Sequence, residues 1–259
     1  MILLVDADIL LYQYSCTNEY EIAWEEDVVS QVMKEDQAKE ELKYGVEQLL
    51  EKTGCADLIL IFSTSSKYPN FRYSVLPTYK HNRSKVVKPS LHAVLHEFCD
   101  QEFTTKQVNH LEGDDVLGIM ATREPGKYMV ATIDKDLKQI PGHHYNLNSG
   151  KYSEVTEAEG DLYFYSQILT GDPTDGYKGL PGVGAAKAEK ILNKALEEGT
   201  PWADQQQLNA LRWKHIVEAY ELKGLTEEDA LQQARVARIL RSCDYDFKRK
   251  KVKLWKPKS

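Results

Sequence analysis

The sequence predicts an α/β fold: a mainly parallel central sheet flanked by helices, followed by a C-terminal helical region. Three observations predict it. Short unbroken apolar runs, Met1–Val5, Leu58–Phe62 and Tyr128–Thr132, read as strands buried on both faces. Segments with helical spacing separate them. After Gly171 the chain passes through a Gly-, Pro- and Asp-rich stretch (172–184) and then reads as helix throughout.

In chain order, Met1–Val5 is the first strand, with Asp6 at its C-terminal end. Lys34–Lys52 holds strong helix formers, with Ala38, Leu42, Val46 and Leu49/Leu50 at apolar spacing. Leu58–Phe62 is the second strand. Residues 63–89 are irregular, broken by Pro69, Pro77 and Pro89. Ser90–Cys99 reads as a helix capped by Ser90, with Leu91, Val94, Leu95 and Phe98 on one stripe. Gly113–Thr122 is another helix, entered through E-G-D-D. Tyr128–Thr132 is the third strand, and a short strand is expected near His144–Leu147. Thr156 and Glu159 form a capping box that starts a helix running to Leu169. Three helices follow: Ala185–Leu196, Gln205–Leu222 and Thr226–Arg241. A boundary is expected near 171, between a 1–171 core and a 172–259 helical region with a basic tail. No run approaches the ~20 apolar residues of a membrane span. The four cysteines form no C-x-x-C pair, so free thiols in a reducing cytoplasm are expected.

The net charge of −7 hides a segregation. Residues 67–88 carry six Lys/Arg and no acid, and residues 248–258 carry seven and no acid. Glu19–Asp57 holds twelve acids and four Lys. Two basic surfaces are thus set apart from an acidic helical one.

The acids fall at the ends of elements: Asp6 after the first strand, Glu112, Asp114 and Asp115 at a helix start, Asp134 and Asp136 after the third strand, Asp172 and Asp175 after a helix. Ligands of open parallel sheets bind at the carboxyl ends of strands. Taken singly, Asp114 suits an N-cap, Asp115 the helix dipole, and Asp172 and Asp175 a turn. Jointly, so many carboxylates in one crevice oppose each other's ionisation, and divalent cations resolve the conflict. Two Mg²⁺ or Mn²⁺ ions ~3.5–4 Å apart form a clamp for phosphodiester hydrolysis.

Tyr79-Lys80-His81-Asn82-Arg83 lies in the acid-free stretch. Lys80 and Arg83 suit one phosphate region, and Tyr79 suits stacking on a base, or else packing in the loop's base. Gly179–Lys187 reads as a helix–hairpin–helix turn. Gly182, Val183 and Gly184 would present bare N–H groups to a phosphate at a helix N-terminus, with Lys187 and Lys190 adding charge.

Together these motifs resemble the 5′→3′ exonuclease and flap endonuclease family, most nearly the small 5′→3′ exonucleases of tailed bacteriophages. The resemblance runs in order through V-D-A-D (5–8), Y-K-H-N-R (79–83), L-E-G-D-D (111–115), I-D-K-D (133–136), G-D-P-T-D-G (171–176) and the glycine hairpin, and the C-terminal 237–257 joins it. It implies that Asp6, Glu112, Asp114, Asp115, Asp134, Asp136, Asp172 and Asp175 hold two divalent metal ions. Lys80 and Arg83 would flank the scissile phosphate, and residues from about 84 to 101, within 80–105, would arch over the site. The hairpin would hold duplex DNA, with a monovalent K⁺ at Gly182–Gly184. The implied reaction removes nucleotides or flaps from 5′ ends of DNA, nicks and RNA–DNA hybrids, in replication, by a monomer in the (host) cytoplasm, with replication proteins as partners and no membrane.

One departure stands out. The family usually has an acid just after the second strand, where this chain reads Phe62-Ser63-Thr64-Ser65-Ser66. Asp8, two positions beyond Asp6, is not expected to replace it. The departure motivates an alternative, a DNA-end binding protein of weakened activity. A second alternative, a haloacid-dehalogenase-type phosphatase, rests on L-V-D-A-D but finds Leu10 where Thr or Val is expected and leaves the glycine hairpin unexplained.

Overall fold

The computed structural model describes residues 1–25, 28–83, 87–200 and 203–257. In chain order the elements are β1 (Ile2–Asp6), α1 (Ala7–Asn18), β2 (Glu19–Glu25), β3 (Val28–Met33), α2 (Glu35–Thr53), β4 (Asp57–Phe62) and α3 (Arg72–Val75). Next come α4 (Leu91–Glu102), β5 (Thr105–Gln107), α5 (Gly113–Arg123), β6 (Tyr128–Thr132), β7 (Gly142–Asn146) and β8 (Tyr152–Val155). The chain closes with α6 (Glu157–Thr170), α7 (Ala185–Glu198), α8 (Gln205–Glu221), α9 (Glu227–Ala237), β9 (Tyr245–Asp246) and β10 (Lys251–Val252). The mixed α/β class is as expected.

The chain forms two compact units. The first comprises Met1–Tyr68, Val86–Asp134 and Gly142–Glu154; the second comprises Pro69–Lys85, Lys135–Pro141 and Val155–Ser259. The last crossing between the units falls at 154/155, whereas the expected boundary lies near 171. The reason is packing: Phe164, Ile168 and Leu169 of α6 share a core with Ala188 and Leu192 of α7, Ile216 of α8 and Ala234 of α9.

In the first unit the six strands run β5-β4-β1-β6-β7-β8. The pairs β1–β4, β1–β6, β4–β5 and β6–β7 are parallel. Leu3, Leu4 and Val5 are fully buried, as a central parallel strand with helices on both faces requires. The chain leaves β1 toward β4 on one side and leaves β6 toward β7 on the other. That reversal between neighbouring strands is the topological switch point, where open α/β sheets bind ligands. It places the ends of β1 and β6, with Asp6 and Asp134, at that crevice.

Two expectations in this unit fail. At the start of the acidic stretch, Glu19–Glu25 and Val28–Met33 are not helical but the antiparallel strands β2 and β3, with Glu19 opposite Met33. The alternating Glu19-Tyr20-Glu21-Ile22 and the β-branched Val28, Val29 and Val32 favour strand. Ser90 does not cap α4 with its side chain. The Glu19 carboxylate does so instead, accepting from the N–H groups of Ser90 (3.1 Å) and Leu91 (2.9 Å), an anion placed at a helix N-terminus.

The expected arch also changes. Residues 84–86 lie outside the described residues. From Leu91 onward the segment is a core helix, with Leu91, Leu95 and Cys99 buried against Leu11, Leu42 and Leu60. That stripe faces the core of the first unit, with polar residues of the helix on its other side.

In the second unit α9 ends at Ala237, four residues short of expectation. The buried Arg72 of α3 accounts for the stop: its Nε donates to the Val236 carbonyl (2.9 Å) and its Nη2 to the Arg238 carbonyl (2.7 Å). These carbonyls at a helix C-terminus have no partner within the helix.

Of the four positive-φ glycines in the turn joining α6 to α7, Gly171 (66°) and Gly179 (60°) make a close approach. Their backbones lie against each other, and a Cβ on either would overlap the other's main chain. Gly179→Ala is expected to lower stability by ~2–3 kcal/mol through overlap and φ strain. Thermal or urea unfolding measures it; an unchanged midpoint would refute the close approach.

Candidate active site

In the first unit, the chain switches from strand to helix directly at Asp6. Asp6 is 6% exposed. Its Oδ2 accepts from Thr132 Oγ1 at the end of β6 (3.0 Å), and that same hydroxyl accepts from the Asp134 N–H (2.9 Å). Burial, the charges of Asp8 and Asp134, and too little relief from Thr132 push the Asp6 carboxyl up to about 7.

Because β1 ends at Asp6, Asp8 falls in the first turn of α1 instead of two steps along a strand. The structure thus puts Asp8 beside the segment after β4, although it is not the expected replacement for the acid missing there. Asp8 Oδ2 accepts from the Ser63 N–H (2.9 Å), and Ser63 Oγ accepts from the Gly113 N–H (2.9 Å). The acid-free segment after β4 is thus tied to a carboxylate on one side and to the start of α5 on the other.

At α5 the N-cap is Glu112, not Asp114. Glu112 and Asp115 form a reciprocal capping box, in which the Glu112 N–H donates to Asp115 Oδ2 (3.2 Å). Asp115 is fully buried in that role, while Glu112, Asp114 and Asp134 are half-buried.

The second unit gathers the other acids. Asp136, Asp172 and Asp175 surround the buried Tyr177 phenol, whose pKa rises well above its ordinary value through burial and then through their three charges. Asp136 Oδ1 accepts from Gln167 Nε2 of α6 (2.8 Å). Asp172 pairs with Lys135 Nζ (3.2 Å) and accepts from the Thr174 N–H (2.7 Å). Burial opposes the Asp172 charge, but the bonds from Lys135 and Thr174 outweigh it and hold its pKa below the usual value. Asp175 Oδ2 accepts from Tyr79 OH (3.1 Å) and lies 3.6 Å from Lys80 Nζ.

Tyr79 is 2% exposed, so it cannot stack on a base as one reading expected. Its ring packs within the second unit's core, and its hydroxyl holds Asp175. Lys80 adopts φ 51°, pinned by a bond from its N–H to the Asp175 carbonyl (2.9 Å). The Arg83 side chain lies outside the described residues.

At the glycine turn, the Leu180 N–H donates to the Leu169 carbonyl (2.8 Å) and the Val183 N–H to the Leu180 carbonyl (3.1 Å). Val183 is half-buried against the core. Open space surrounds Gly182 and Gly184, Lys187 Nζ donates to the Gly182 carbonyl (2.9 Å), and Lys190 is exposed.

The predicted acids therefore divide between the units, Asp6, Glu112, Asp114, Asp115 and Asp134 in one and Asp136, Asp172 and Asp175 in the other, with a unit boundary between Asp134 and Lys135. Among the described residues, no three His, Cys, Asp or Glu side chains are drawn together to ligating distance. The donor chemistry still fits hard divalent cations. Asp6 stands charged only against the repulsion of Asp8 and Asp134, and lysine ammonium groups lie on Asp172 and Asp175. Sequence reasoning missed Asp8, Thr132, Lys135, Gln167 and Tyr177. Asp8 and Lys135 sit in plain view inside V-D-A-D and I-D-K-D, but only the backbone path tells what they face.

The family described as 5′-3′ exonuclease, N-terminal resolvase-like domain, matches residues 1–163. The exonuclease of Escherichia phage T7 is 30% identical over 287 residues, covering 99% of this chain and 93% of its own length. The exodeoxyribonuclease of Enterobacteria phage T3 is 28% identical over 285 residues, covering 100% and 93%. Among solved structures, the phage T5 5′-exonuclease with bound zinc ions aligns with a TM-score of 0.59 at 14% identity, covering 92% of this chain and 98% of its own. That likeness shows a shared α/β fold. The phosphatase alternative is not favoured by any of these matches. With a family match over residues 1–163 and a relative along nearly its whole length, this chain belongs to the 5′→3′ exonuclease family and is a nuclease hydrolase.

Proposed function

We propose that the chain is a metal-dependent, structure-specific 5′→3′ exonuclease and flap endonuclease. The observation that carries the reading is Asp6, a carboxylate buried at the switch point between Asp8 and Asp134 and pushed up to about 7. Such a group calls for a cation, and metal ions accompany the phage T5 enzymes with which this chain shares its fold.

Asp6, Glu112, Asp114, Asp115 and Asp134 of one unit, and Asp136, Asp172 and Asp175 of the other, are the residues to hold two divalent ions, Mg²⁺ or Mn²⁺. When bound, such ions make hydroxide available near neutral pH and stabilise charge on the phosphoryl and leaving oxygens. Asp8 takes the place of the acid missing from 63–66, through its bond to the Ser63 N–H. Thr132 orients Asp6 and the backbone at Asp134 together. Lys80, held by Asp175, and Arg83 offer positive charge to a phosphate. The glycine turn with Lys187 and Lys190 suits a DNA backbone without base readout, with K⁺ as a further occupant. DNA accompanies the phage T5 flap endonuclease in its complex with metal ions, and a DNA substrate with 5′ ends, nicks or flaps is assigned here by that likeness. RNA–DNA hybrids form the second substrate class.

The test is cleavage of a 5′-labelled nicked or flapped duplex, and of an RNA–DNA hybrid, with Mg²⁺, with Mn²⁺ and with EDTA. Metal-dependent release of nucleotides or short oligomers from the 5′ end is the expected result. Tight binding with no release under any metal would replace this reading with a DNA-end binder whose chemistry is lost at Ser63–Ser66.

A further inference from the structure

The basic C-terminal stretch is not a loose tail. β9 and β10 pair antiparallel, Asp246 opposite Lys251 and Tyr245 opposite Val252. Asp246 Oδ1 accepts from the N–H groups of Lys248 and Arg249 (3.0 Å each), folding 246–249 into an Asx-type turn. Lys250 completes the turn at φ 52°.

Both ends of this hairpin are anchored. At its root the buried Asp244 accepts from Arg238 Nε (2.9 Å), and its carbonyl accepts from the Lys253 N–H (2.8 Å). Beyond it, the Trp255 ring centroid lies 5.1 Å from Trp213, 5.2 Å from Phe164 and 6.3 Å from Tyr165. The tip itself is in solvent: Phe247 is 42% exposed, and Lys248, Arg249, Lys250 and Lys251 are exposed. No acid follows Asp246 in the sequence.

We infer that the β9–β10 hairpin is a second DNA-backbone contact, separate from the acidic centres and the glycine turn. The inference rests on the nuclease reading. The Asx turn, the Arg238–Asp244 pair and the aromatic cluster hold the backbone that carries Lys248, Arg249, Lys250 and Lys251, so four neighbouring cations are presented from an ordered element. The fitting partner is densely anionic along a line. Duplex DNA carries a charge every ~1.7 Å of axis, which suits several adjacent cations held at one turn. Pre-ordering the hairpin lowers the entropy lost on binding. Phe247 adds an aromatic face beside the cations for sugar or an unstacked base.

The experiment measures binding of the full chain to a flapped duplex in EDTA across a range of salt. The triple variant Lys248→Gln, Arg249→Gln, Lys250→Gln is compared with wild type and with a triple change of equal charge on α2, Lys39→Gln, Lys43→Gln, Lys52→Gln. Each lost phosphate contact should reduce the slope of log K against log salt by ~0.9. The hairpin variant should lose about 2 to 3 from the slope and bind ~100-fold more weakly at 0.1 M salt. The α2 variant should match wild type. Equal slopes for hairpin variant and wild type would overturn the inference, as they would if the hairpin met an acidic protein instead. Equal weakening by both triple variants would overturn it too, leaving only a general field. Wild-type cleavage run alongside separates the two readings: failure of metal-dependent cutting sinks the nuclease proposal, whereas normal cutting with unchanged slopes sinks only this one.

Discussion

Asp134→Ala is expected to reduce metal-dependent cleavage by ~10³-fold or more, about 4 kcal/mol of transition-state stabilisation, while DNA binding in EDTA stays within a few-fold of wild type. The asymmetry follows from geometry. The turn at Asp134 is held by its backbone N–H, which donates to Thr132 Oγ1, so alanine keeps the local shape. The substitution removes one half-buried carboxylate and the charge it sets against Asp6. Removing a negative charge does not weaken attraction to a polyanion. Single-turnover cleavage of a 5′-labelled flap, with a binding titration beside it, measures both. Normal cutting by the variant would show that Asp134 does no chemistry here.

Asp6→Asn is expected to do two opposite things: abolish cleavage and raise stability in metal-free buffer. The sign follows from the protonation states. The Asp6 carboxyl titrates at about 7 in the folded chain against 3.8 for an ordinary aspartate. The folded state therefore holds the proton more tightly than the unfolded state. Stability is unaffected below the unfolded value, falls as pH rises from there to about 7, and stays reduced above it. At pH 8 the penalty is on the order of 4 kcal/mol, and at pH 5.5 roughly half of that. Asparagine is uncharged and retains an oxygen for Thr132. Thermal unfolding in EDTA should thus show the variant above wild type by ~10 °C at pH 8, with a smaller gap at pH 5.5. Added Mg²⁺ or Mn²⁺ should raise wild type and close the gap, because a ligand that binds only the folded state stabilises it. A variant less stable than wild type at pH 8 without metal would mean that Asp6 is held by structure and not in want of a cation.

Much of this molecule was legible in its residues. Leu3, Leu4 and Val5 read as a strand covered on both faces, and Asp6 and Asp134, read as following the first and third strands, stand at the ends of β1 and β6. Thr156 and Glu159 announced a helix start that the structure places there. Elements that depend on distant partners were not legible. Ser90 looked like the cap of α4 because caps are local, whereas the anion that serves comes from Glu19, 71 residues away. The extra turn expected of α9 was lost to Arg72, which takes carbonyls 164 and 166 residues downstream. Nothing near either end in sequence signals such contacts.

The periodicity of each element, the chain order of the acidic and basic motifs and, through them, the family and its class of reaction were readable from the residues alone. Those are properties of neighbours along the chain, where side-chain type and spacing act directly. Long-range packing, in contrast, makes β1 stop at Asp6 and turns Asp8 toward Ser63, buries Tyr79 where it holds Asp175, and divides the acids between two compact units. It also makes the basic terminus an anchored hairpin. Each of those depends on which surfaces exclude water from one another and which backbone groups are left needing partners, and both are settled by contacts between residues far apart in the chain.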